Sequence, residues 1–385
     1  MAAGAVQDLG LAALLFAAAS VLPTAAATRG SGAIPLDGFA DAIHHWQNTH
    51  GDDYPRHAPD DIAAIAGNIV LQQRRDGGWR ENQDPARILD DDERRRLEVE
   101  RRTAGGSFDN RNVYTQVEYL AQAHARTGIA RFREASLRGF EFILAQQIEE
   151  CGGWPHTVPE SAPYHALITI ADEVTPGVLA TLRKAMAGSD GFAFVDDDLR
   201  ARARATVARG DACLLRLQVR QDGRATAWAG QYDPRTLAPA QGRSFELPAI
   251  VTQESVAVVR YLMSIPAPSP EMVAAVDAAV AWFRDVALHG VRLETFAAEP
   301  VRYRYHTATT DRRLVEDADA PPLWARFYDP TDNSVVLATR DGERVARYAD
   351  IPRERRTGYQ WYGDWPRALL EREYPRWKRE VASGD

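Results

Sequence analysis

The sequence predicts a mainly α-helical protein: an (α/α)3 toroid of three helix hairpins with a smaller, irregular C-terminal lobe that contains short strands. Three segments share one form, an apolar helix followed by Gln, a short Gly-containing turn and Trp. Their tryptophans, Trp79, Trp154 and Trp228, stand 75 and 74 residues apart. A fixed period of this kind indicates a repeated structural unit. Beyond about residue 290 the helical period gives way to short strand-like runs, aromatic residues and proline.

Each repeat is predicted to contain two helices joined by the Gly-Trp turn and an irregular excursion. Apolar residues recur at three- and four-residue steps within 114–127, 176–187 and 254–263, the predicted second helices. A further amphipathic helix is predicted at 270–286, and a first helix at 37–46. Glycine C-caps with a stacked Trp would explain each turn separately but not the even spacing. We therefore expect three hairpins closed into a ring, with all the turns at one rim.

Residues 1–27 are predicted to be a secretory signal peptide. An apolar run at 9–27 ends in small residues after Pro23. The stretch before this run carries Asp8 and no Lys or Arg, so an uncleaved anchor or a different start site stays open. The expected location of the mature protein is secreted or periplasmic, as a monomer without stable membrane association after signal cleavage.

The remaining chain is expected to divide in two. The toroid should span 28–290, and the lobe at 291–385 should complete a cleft beside it. Short strands are predicted at 335–338 and 345–348 in this lobe, whereas the highly charged run at 90–102 is predicted to be a solvated helix or loop. The chain has two cysteines, and the sequence alone does not decide whether they pair.

The charge balance restricts the possible partners. The chain carries 46 Lys and Arg against 54 Asp and Glu, a formal net charge of −8. This acidity argues against a nucleic-acid partner, but it does not exclude a polyanion that meets a local cationic cleft. Only Lys184 and Lys378 are lysines. Any positive site is therefore expected to use Arg, whose planar fork suits carboxylates.

Polar clusters follow each Gly-Trp turn, just before the next predicted helix. They contain Asp109 and Asn110 after the first turn, Asp172 and Glu173 after the second, and Arg243 and Glu246 after the third. If the units are equivalent, these clusters meet at one rim. Carboxylate and amide oxygens are hard ligands suited to Ca²⁺ or Mg²⁺. A single such residue is more often a helix N-cap, so the functional interpretation depends on their convergence.

A series of short strings occurs in order between about residues 63 and 377. They are DGGWRENQDP (76–85), FDN…YTQ (108–116), GGWP (152–155), IT..D (168–172), W.GQYD (228–233), SFELP (244–248), ESVAVVRYLMSIP (254–266), LWARFYD (323–329), RDG (340–342) and ERRTGYQWYGDWP (354–366). In these strings the chain resembles the pectate lyases of polysaccharide lyase family 10. The resemblance implies a toroid of three helix pairs with a second, irregular lobe and a cleft between them.

The resemblance also implies a reaction and a substrate. In this family a base removes the C5 proton of a uronate in polygalacturonate, or in a related acidic polysaccharide, and the C4–O bond breaks. The implied cofactor is Ca²⁺, and the implied base is Arg243. A basic Arg is chemically demanding, because a guanidinium normally stays protonated, so binding of a substrate carboxylate is the alternative role for Arg243.

The other site residues are assigned by position. The candidate metal ligands are Asp109, Asp172 and Glu173, and the candidate substrate-binding residues are Asn110, Tyr114, Arg312 and Arg326.

Several residues depart from the family pattern near this site. Ala171 stands in place of an Asn, Glu173 in place of an Asp, and Arg111 and Asn112 in place of small residues, while GGWPH stands in place of GGWPQ. These changes leave open a non-catalytic or altered-specificity polyuronate-binding protein on the same scaffold. A terpene or prenyl cyclase is disfavoured because its acidic motifs are absent. A two-carboxylate hydrolase would leave Arg243 without a role.

Overall fold

Helices dominate the structure, as the sequence predicts. The computed structural model describes residues 32–304 and 306–383, so the predicted signal peptide lies outside the described residues. The α-helices are, in chain order, α1 (Ala40–His50), α2 (Ile62–Gln72), α3 (Asp91–Glu100), α4 (Tyr114–Thr127), α5 (Ala130–Ala145), α6 (Val174–Ala187), α7 (Asp197–Leu217), α8 (Thr252–Met263), α9 (Pro270–Asp285), α10 (Arg353–Gly358) and α11 (Tyr374–Ser383). Short 3₁₀ turns occupy Asp37–Phe39, Asp109–Arg111, Pro163–Ala166, Ala171–Glu173, Phe192–Phe194 and Tyr348–Asp350, and a π-helical turn occupies Leu369–Glu373.

The strands are short, apart from one hairpin. Strands β1 (Val291–Arg302) and β2 (Thr307–Glu316) form an antiparallel hairpin in which Val291 lies opposite Glu316. The two-residue strands pair as Gly106–Ser107 with Thr157–Val158, Ile168–Thr169 with Gln231–Tyr232, Arg220–Gln221 with Arg224–Ala225, Ile250–Val251 with Phe327–Tyr328, Trp324–Ala325 with Tyr362–Gly363, and Leu337–Ala338 with Arg344–Val345. The last pair lies at the strand-like runs predicted in the lobe.

The main helices pack in two layers. Helices α4, α6 and α8 follow one another in the more buried layer, and α2, α5, α7 and α9 follow one another against it. Each buried helix also contacts the helix that follows it in the chain. The buried apolar residues form one core that continues from these helices into the C-terminal region. The described residues fall within one compact unit, and the boundary near residue 290 stays a prediction.

The tryptophans explain why the repeat recurs. The indoles of all three are completely buried. Each indole N–H donates to a carbonyl oxygen near the end of the preceding helix, at 2.7–2.8 Å: Trp79 to Ile69, Trp154 to Ile143 and Trp228 to Leu214. Each Trp therefore satisfies an orphan carbonyl at a helix C-terminus while it fills the core.

The glutamine before each turn ties the turn to the next outer helix. Each side-chain amide donates one hydrogen bond to its own turn and one to that helix: Gln73 to Gly77 and Ala135, Gln147 to Gly152 and Thr206, and Gln218 to Thr226 and Ala275. Since both donors of a buried amide must be satisfied, the Gln fixes the spacing between successive hairpins.

A fourth turn of the same kind lies beyond the three that the sequence reveals. The indole of Trp324 donates to the Phe283 carbonyl at the end of α9, at 2.7 Å. The Ala325 N–H donates to the Tyr328 hydroxyl, just as the Ala229 N–H donates to the Tyr232 hydroxyl. The hairpin β1–β2 is inserted before this turn and obscures the period. The C-terminal region therefore begins with a further unit of the repeat.

A disulfide joins the second turn to an outer helix. Cys151 bonds Cys213 of α7 across a sequence separation of 62 residues. Among the helices of the described residues, none is long and apolar enough to cross a membrane.

Removing this disulfide should lower the free energy of unfolding. Closing a loop of this length restricts the unfolded chain, so we expect a loss of about 2–4 kcal/mol in a Cys151→Ser/Cys213→Ser variant. Urea unfolding of the variant and of the reduced wild-type protein should give matching, lowered midpoints. Equal midpoints for variant and oxidised wild type would contradict the bond.

Candidate active site

One cleft lies where the four turns meet. It encloses about 650 Å³ of space that is open to solvent. The charged groups that line it are Asp109, Asp172, Arg243, Glu246, Glu254 and Arg326, and Tyr359 also contributes to its wall. The two-residue strand pairs join each turn to the next, which brings these groups together although they are far apart in sequence. Four of the residues predicted from the sequence therefore line one cleft: Asp109, Asp172, Arg243 and Arg326.

Two strained turns present the predicted carboxylates. Asp109 belongs to the 3₁₀ turn before α4, and Asp172 to the equivalent turn before α6. These turns contain non-glycine residues with positive φ, among them Asn110 at 52°, Asp172 at 52° and Glu173 at 60°. Such backbone conformations cost free energy and persist only where the surrounding structure holds them. Their concentration in two matching turns indicates that the surrounding structure fixes the positions of both carboxylates.

The Asp109 and Asp172 carboxyl groups both line the cleft, and each shifts the pKa of the other. Desolvation, followed by the neighbouring Asp109 carboxylate, raises the pKa of Asp172 well above its ordinary value. Desolvation also opposes ionisation of Asp109, yet hydrogen bonds from His156 and Asp172 hold the pKa of Asp109 below its ordinary value. Two adjacent carboxylates repel each other when both are ionised, so a cation between them would allow both to carry charge.

The donor set fits a hard cation. Asp109 and Asp172 supply carboxylate oxygens of the type that Ca²⁺ prefers. In 32–304 and 306–383, no cluster of three or more His, Cys, Asp or Glu side chains is arranged to hold a metal ion. Within the cleft, Asp109 and Asp172 are the residues that could hold a bound Ca²⁺.

Arg243 lies at the cleft wall in a tight contact with Glu246. Its Nε donates to Glu246 Oε2 at 3.0 Å, and its Nη2 donates to Oε1 at 2.5 Å. The Tyr359 hydroxyl donates to the same Glu246 oxygen at 2.7 Å. Desolvation alone would lower the pKa of Arg243, but Glu246 raises this pKa well above its ordinary value. The guanidinium is thus protonated, although 47% of its side chain remains exposed.

The chain that carries Arg243 is held by a second ion-pair network. The Arg355 guanidinium lies 4.7 Å from the Phe245 ring centroid. The Glu354 carboxylate accepts hydrogen bonds from both Arg340 and Arg355. The Ser244 hydroxyl donates to the Arg340 backbone carbonyl. Glu354 therefore supports the segment that presents the Arg243 guanidinium.

This network should make the protein less stable in acid. Desolvation would raise the pKa of Glu354, but hydrogen bonds from Arg340 and Arg355 lower this pKa from 4.5 to about 2. Because the folded-state pKa is the lower one, the stabilisation is present above pH 4.5 and is lost as the pH falls towards about 2. Urea midpoints measured down this pH range should fall less steeply for Glu354→Gln than for wild type. Parallel curves would contradict the assignment.

Arg326 enters the cleft from the fourth turn and is almost completely buried. Its Nη2 donates to Glu254 Oε1 of α8 at 2.5 Å, and both side chains are under 10% exposed. Its guanidinium also lies 4.7 Å from the Tyr359 ring centroid. Arg326 Nε, Glu254 Oε2 and Gln231 Oε1 are buried without hydrogen-bond partners. These three unsatisfied polar atoms belong to residues that line the same cleft, which is consistent with a polar ligand.

The other four predicted residues do not line this cleft. Asn110 lies beside it, where its amide donates to Asn82 Oδ1 at 2.8 Å and to Asp109 Oδ2 at 3.4 Å. The Tyr114 hydroxyl is buried without a hydrogen-bond partner, and its ring packs against the backbone at Gly177. Arg312 donates to the carbonyl oxygens of Arg356 and Tyr359, and so braces the segment that carries Tyr359.

Glu173, the fourth of these residues, pairs with Arg111 instead. The Arg111 Nη2 lies 2.7 Å from Glu173 Oε1, and the Arg111 Nε lies 3.7 Å from Asp41 of α1. Both Arg111 and Glu173 depart from the family pattern, and they compensate each other's charge. Their contact joins the two turns that carry Asp109 and Asp172.

Several residues of the cleft were not predicted from the sequence. Glu254 is a charged residue on an apolar helix face, and its buried partner, Arg326, lies 72 residues away. A charged residue on an otherwise apolar helix face was the signal that the sequence offered for Glu254. Its partner could not be inferred, because no spacing rule links Glu254 to Arg326. His156, which lies 3.4 Å from Asp109 Oδ1, is the residue that departs from the family pattern in GGWPH. Tyr359 lay within an aromatic-rich string that gave no reason to select it.

Comparisons with known proteins identify a family and a shared fold. A model of the pectic acid lyase family matches residues 73–370. Two solved structures resemble the chain, both of a family 10 polysaccharide lyase from Cellvibrio cellulosa, and one of them is a mutant in complex with trigalacturonic acid. Each is 24% identical with a TM-score of 0.69, and each match covers 90% of this chain. The matches cover 99% of the mutant chain and 98% of the other. No curated protein sequence matches significantly.

The family match extends over more than half of the chain and includes every residue of the cleft named above. The structural matches show a shared fold. The chain therefore belongs to the pectic acid lyase family and, as its member, is a pectate lyase.

Proposed function

We propose that the protein cleaves polygalacturonate, or a closely related polyuronate, by calcium-assisted β-elimination with Arg243 as the base. The observation that carries this proposal is the convergence of Asp109, Asp172, Arg243 and Arg326 on one cleft. Paired carboxylates and arginine donors are suited to a substrate whose every sugar carries a carboxylate. The structural relative bound to trigalacturonic acid supports the same substrate class.

Asp109 and Asp172 would hold the calcium ion. When bound, Ca²⁺ would neutralise the carboxylate of the reacting uronate and so favour the negative charge that develops at C5. Asn110 would keep the Asp109 carboxylate in position through its hydrogen bonds. Glu173 meets Arg111 rather than the cleft, so our proposal assigns it the task of joining the two turns.

Arg243 would take the C5 proton in its neutral form, after it separates from Glu246 and releases a proton to solvent, and the departing C4 oxygen would take a proton from water. In the described contacts its guanidinium is protonated, and Glu246 stabilises that form. A substrate in the cleft would have to displace this ion pair, and the nearby Arg326 charge would then disfavour a second cation. The contact with Glu246 equally supports the alternative in which Arg243 only binds a substrate carboxylate. Steady-state kinetics of an Arg243→Ala variant separate the two roles.

The proposed substrate contacts differ in how directly they act. Arg326 lines the cleft and would bind a uronate carboxylate through its unsatisfied Nε. Tyr114 and Arg312 would act from behind the wall, Tyr114 by packing beneath the Asp172 turn and Arg312 by bracing Tyr359.

The wider predictions of architecture and location form part of the proposal. Closure of the helices into an (α/α)3 toroid is supported by the two helix layers and by the matching fold of the family 10 lyase. A secreted or periplasmic location, reached by export through residues 1–27, is supported by the disulfide, because such bonds persist in oxidising compartments. The monomeric state stays a prediction. We retain the division at residue 290, where the inserted hairpin β1–β2 begins.

A substrate panel tests the proposal. The mature protein should produce the ultraviolet-absorbing, unsaturated uronate from polygalacturonate when Ca²⁺ is present, and little when a chelator is added. A fully methyl-esterified polymer and a neutral glucan serve as controls, and both should remain intact. Failure to form the unsaturated product from any uronate polymer would refute the proposal.

The two neighbouring acids should respond differently to mutation. Asp172→Asn should raise the calcium concentration needed for half-maximal activity by about tenfold or more, because it removes one of two charged ligands. Glu173→Gln, the matched control in the next position, should leave this concentration unchanged. It should cost at most about 1 kcal/mol of stability, since its ion pair is partly exposed. If both substitutions raised the calcium requirement equally, Glu173 would have to be assigned as a metal ligand.

A further inference from the structure

A second concave surface, separate from the cleft, is lined mainly by arginine. We call it the arginine basin, and its lining residues are Gln73, Arg74, Arg75, Glu98, Arg101, Arg102 and Arg138. None of them lines the catalytic cleft. The basin combines the first Gly-Trp turn, the end of α3 and the outer helix α5. It thus includes the C-terminal part of the charged run that was predicted to be solvated.

The basin is built on a rigid backbone. The Arg74 N–H donates to Gly78 O at 2.9 Å, and the Arg75 N–H donates to Thr103 O at 3.1 Å. The Arg138 guanidinium is held by Gln73 Oε1, at 3.1 Å from Nε and 2.8 Å from Nη2. Gln73 is itself fixed by Gly77 and Ala135, as the repeat requires. Because these groups are already held in place, a ligand would lose less free energy in ordering them when it binds.

The arginines that line the basin outnumber the acidic residues among its described lining residues. In 32–304 and 306–383, none of its five arginines forms an ion pair within 4.0 Å. Among the described residues that line it, Glu98 is the one acidic residue. Desolvation and the neighbouring Arg101 lower the pKa of Arg138. By contrast, the cleft arginines Arg243 and Arg326 are each paired with a glutamate. Of these two surfaces, the basin is therefore the one that offers accessible cations without an acidic partner.

We propose that the arginine basin binds the carboxylates of a polyuronate chain, as a second, non-catalytic site for the polymer. The identity of the ligand depends on the proposed function, whereas the site itself depends on the five arginines. Guanidinium groups pair with carboxylates through two parallel hydrogen bonds. The described residues that line the basin include no aromatic side chain to stack a base, and the net charge of −8 opposes nucleic acid. Binding at two sites would hold a long chain near the cleft.

Binding measurements on matched variants test the site. Arg75→Ser/Arg102→Ser removes two exposed charges from the basin, and Arg204→Ser/Arg379→Ser removes two exposed charges elsewhere. With Arg243→Ala in every protein to prevent cleavage, the basin variant should bind polygalacturonate about three- to tenfold more weakly, while the control should be unchanged. Glu98→Gln should bind more tightly. Equal weakening in basin and control variants, or none, would overturn the proposal.

Two further affinity measurements identify the ligand. Affinity for a fully methyl-esterified polymer should be the same in all variants, because that polymer offers no carboxylates. If the basin variant loses affinity for a single-stranded oligonucleotide as much as for polygalacturonate, the assignment to uronate is overturned.

Turnover separates this inference from the proposed function. With Arg243 intact, the basin variant should keep the wild-type kcat and KM on trigalacturonate and show a raised KM on the polymer. A wild-type protein without lyase activity would refute the proposed function. The binding measurements would still show whether the basin binds polygalacturonate. A loss of turnover on trigalacturonate in the basin variant would show that the basin is not a separate site.

Discussion

Arg243→Ala should reduce kcat on polygalacturonate by about 10²–10⁴-fold, the contribution that a positioned general base makes. The protein should remain folded, since the Arg243 side chain is 47% exposed and its contacts lie at the cleft wall. KM should change far less than kcat, because the proton transfer occurs only in the transition state. Arg243→Lys should also be strongly impaired, since the shape and donor geometry of an ammonium differ from those of the planar guanidinium.

The two roles of Arg243 give different kinetic patterns. If it only binds a substrate carboxylate, the Ala variant should show a raised KM with kcat nearly unchanged. Arg204→Ala, an exposed arginine of α7, serves as a control and should match wild type. Steady-state kinetics on trigalacturonate and on the polymer provide both constants. If Arg243→Ala kept the wild-type kcat, Arg243 would not be the base.

Glu254→Ala should lower the free energy of unfolding by about 3–5 kcal/mol, because it leaves the Arg326 charge buried and unpaired. The side chains of Arg326 and Glu254 are 9% and 4% exposed, and their contact is 2.5 Å. Urea unfolding monitored by circular dichroism measures this loss. The same variant should lose activity even when folded, since Arg326 would no longer be held against Tyr359.

A double variant separates loss of the pair from loss of packing. Glu254→Leu/Arg326→Met removes both charges and retains apolar volume, so it should recover much of the stability that Glu254→Ala loses. It should remain inactive, because the proposed substrate-binding guanidinium is gone. If the double variant is no more stable than Glu254→Ala, the loss of stability comes from altered packing of helix α8 and not from the unpaired charge of Arg326. Wild-type stability in Glu254→Ala would contradict the buried pair.

Much of the fold could be predicted from the sequence because the repeat has a physical basis at each turn. The same Gln and Trp recur since each buried amide must satisfy two donors and each indole must find a carbonyl. The fourth turn, at Trp324, was hidden because the hairpin β1–β2 breaks the period. Regular spacing can be recognised in a sequence, but an insertion that preserves the contacts while changing the spacing cannot.

The site was predictable where it depended on equivalent positions and unpredictable where it depended on partners. Asp109 and Asp172 meet because their turns occupy matching places in consecutive units. The choice of Glu173 as a ligand followed from its neighbour in sequence, whereas its carboxylate turns to Arg111. Successive side chains of a strained 3₁₀ turn point in different directions. Adjacent acids can therefore serve different partners, and only the structure identifies them.

The most direct test of the central claim is to identify the new chain end formed when the protein cleaves polygalacturonate. With Ca²⁺ present, mass spectrometry and ultraviolet absorbance should find an unsaturated uronate at the non-reducing end and no water incorporated into the products. Arg243→Ala should form this end at a rate at least about a hundredfold lower. Saturated products carrying a solvent oxygen would show hydrolysis. They would contradict both β-elimination and the role of Arg243.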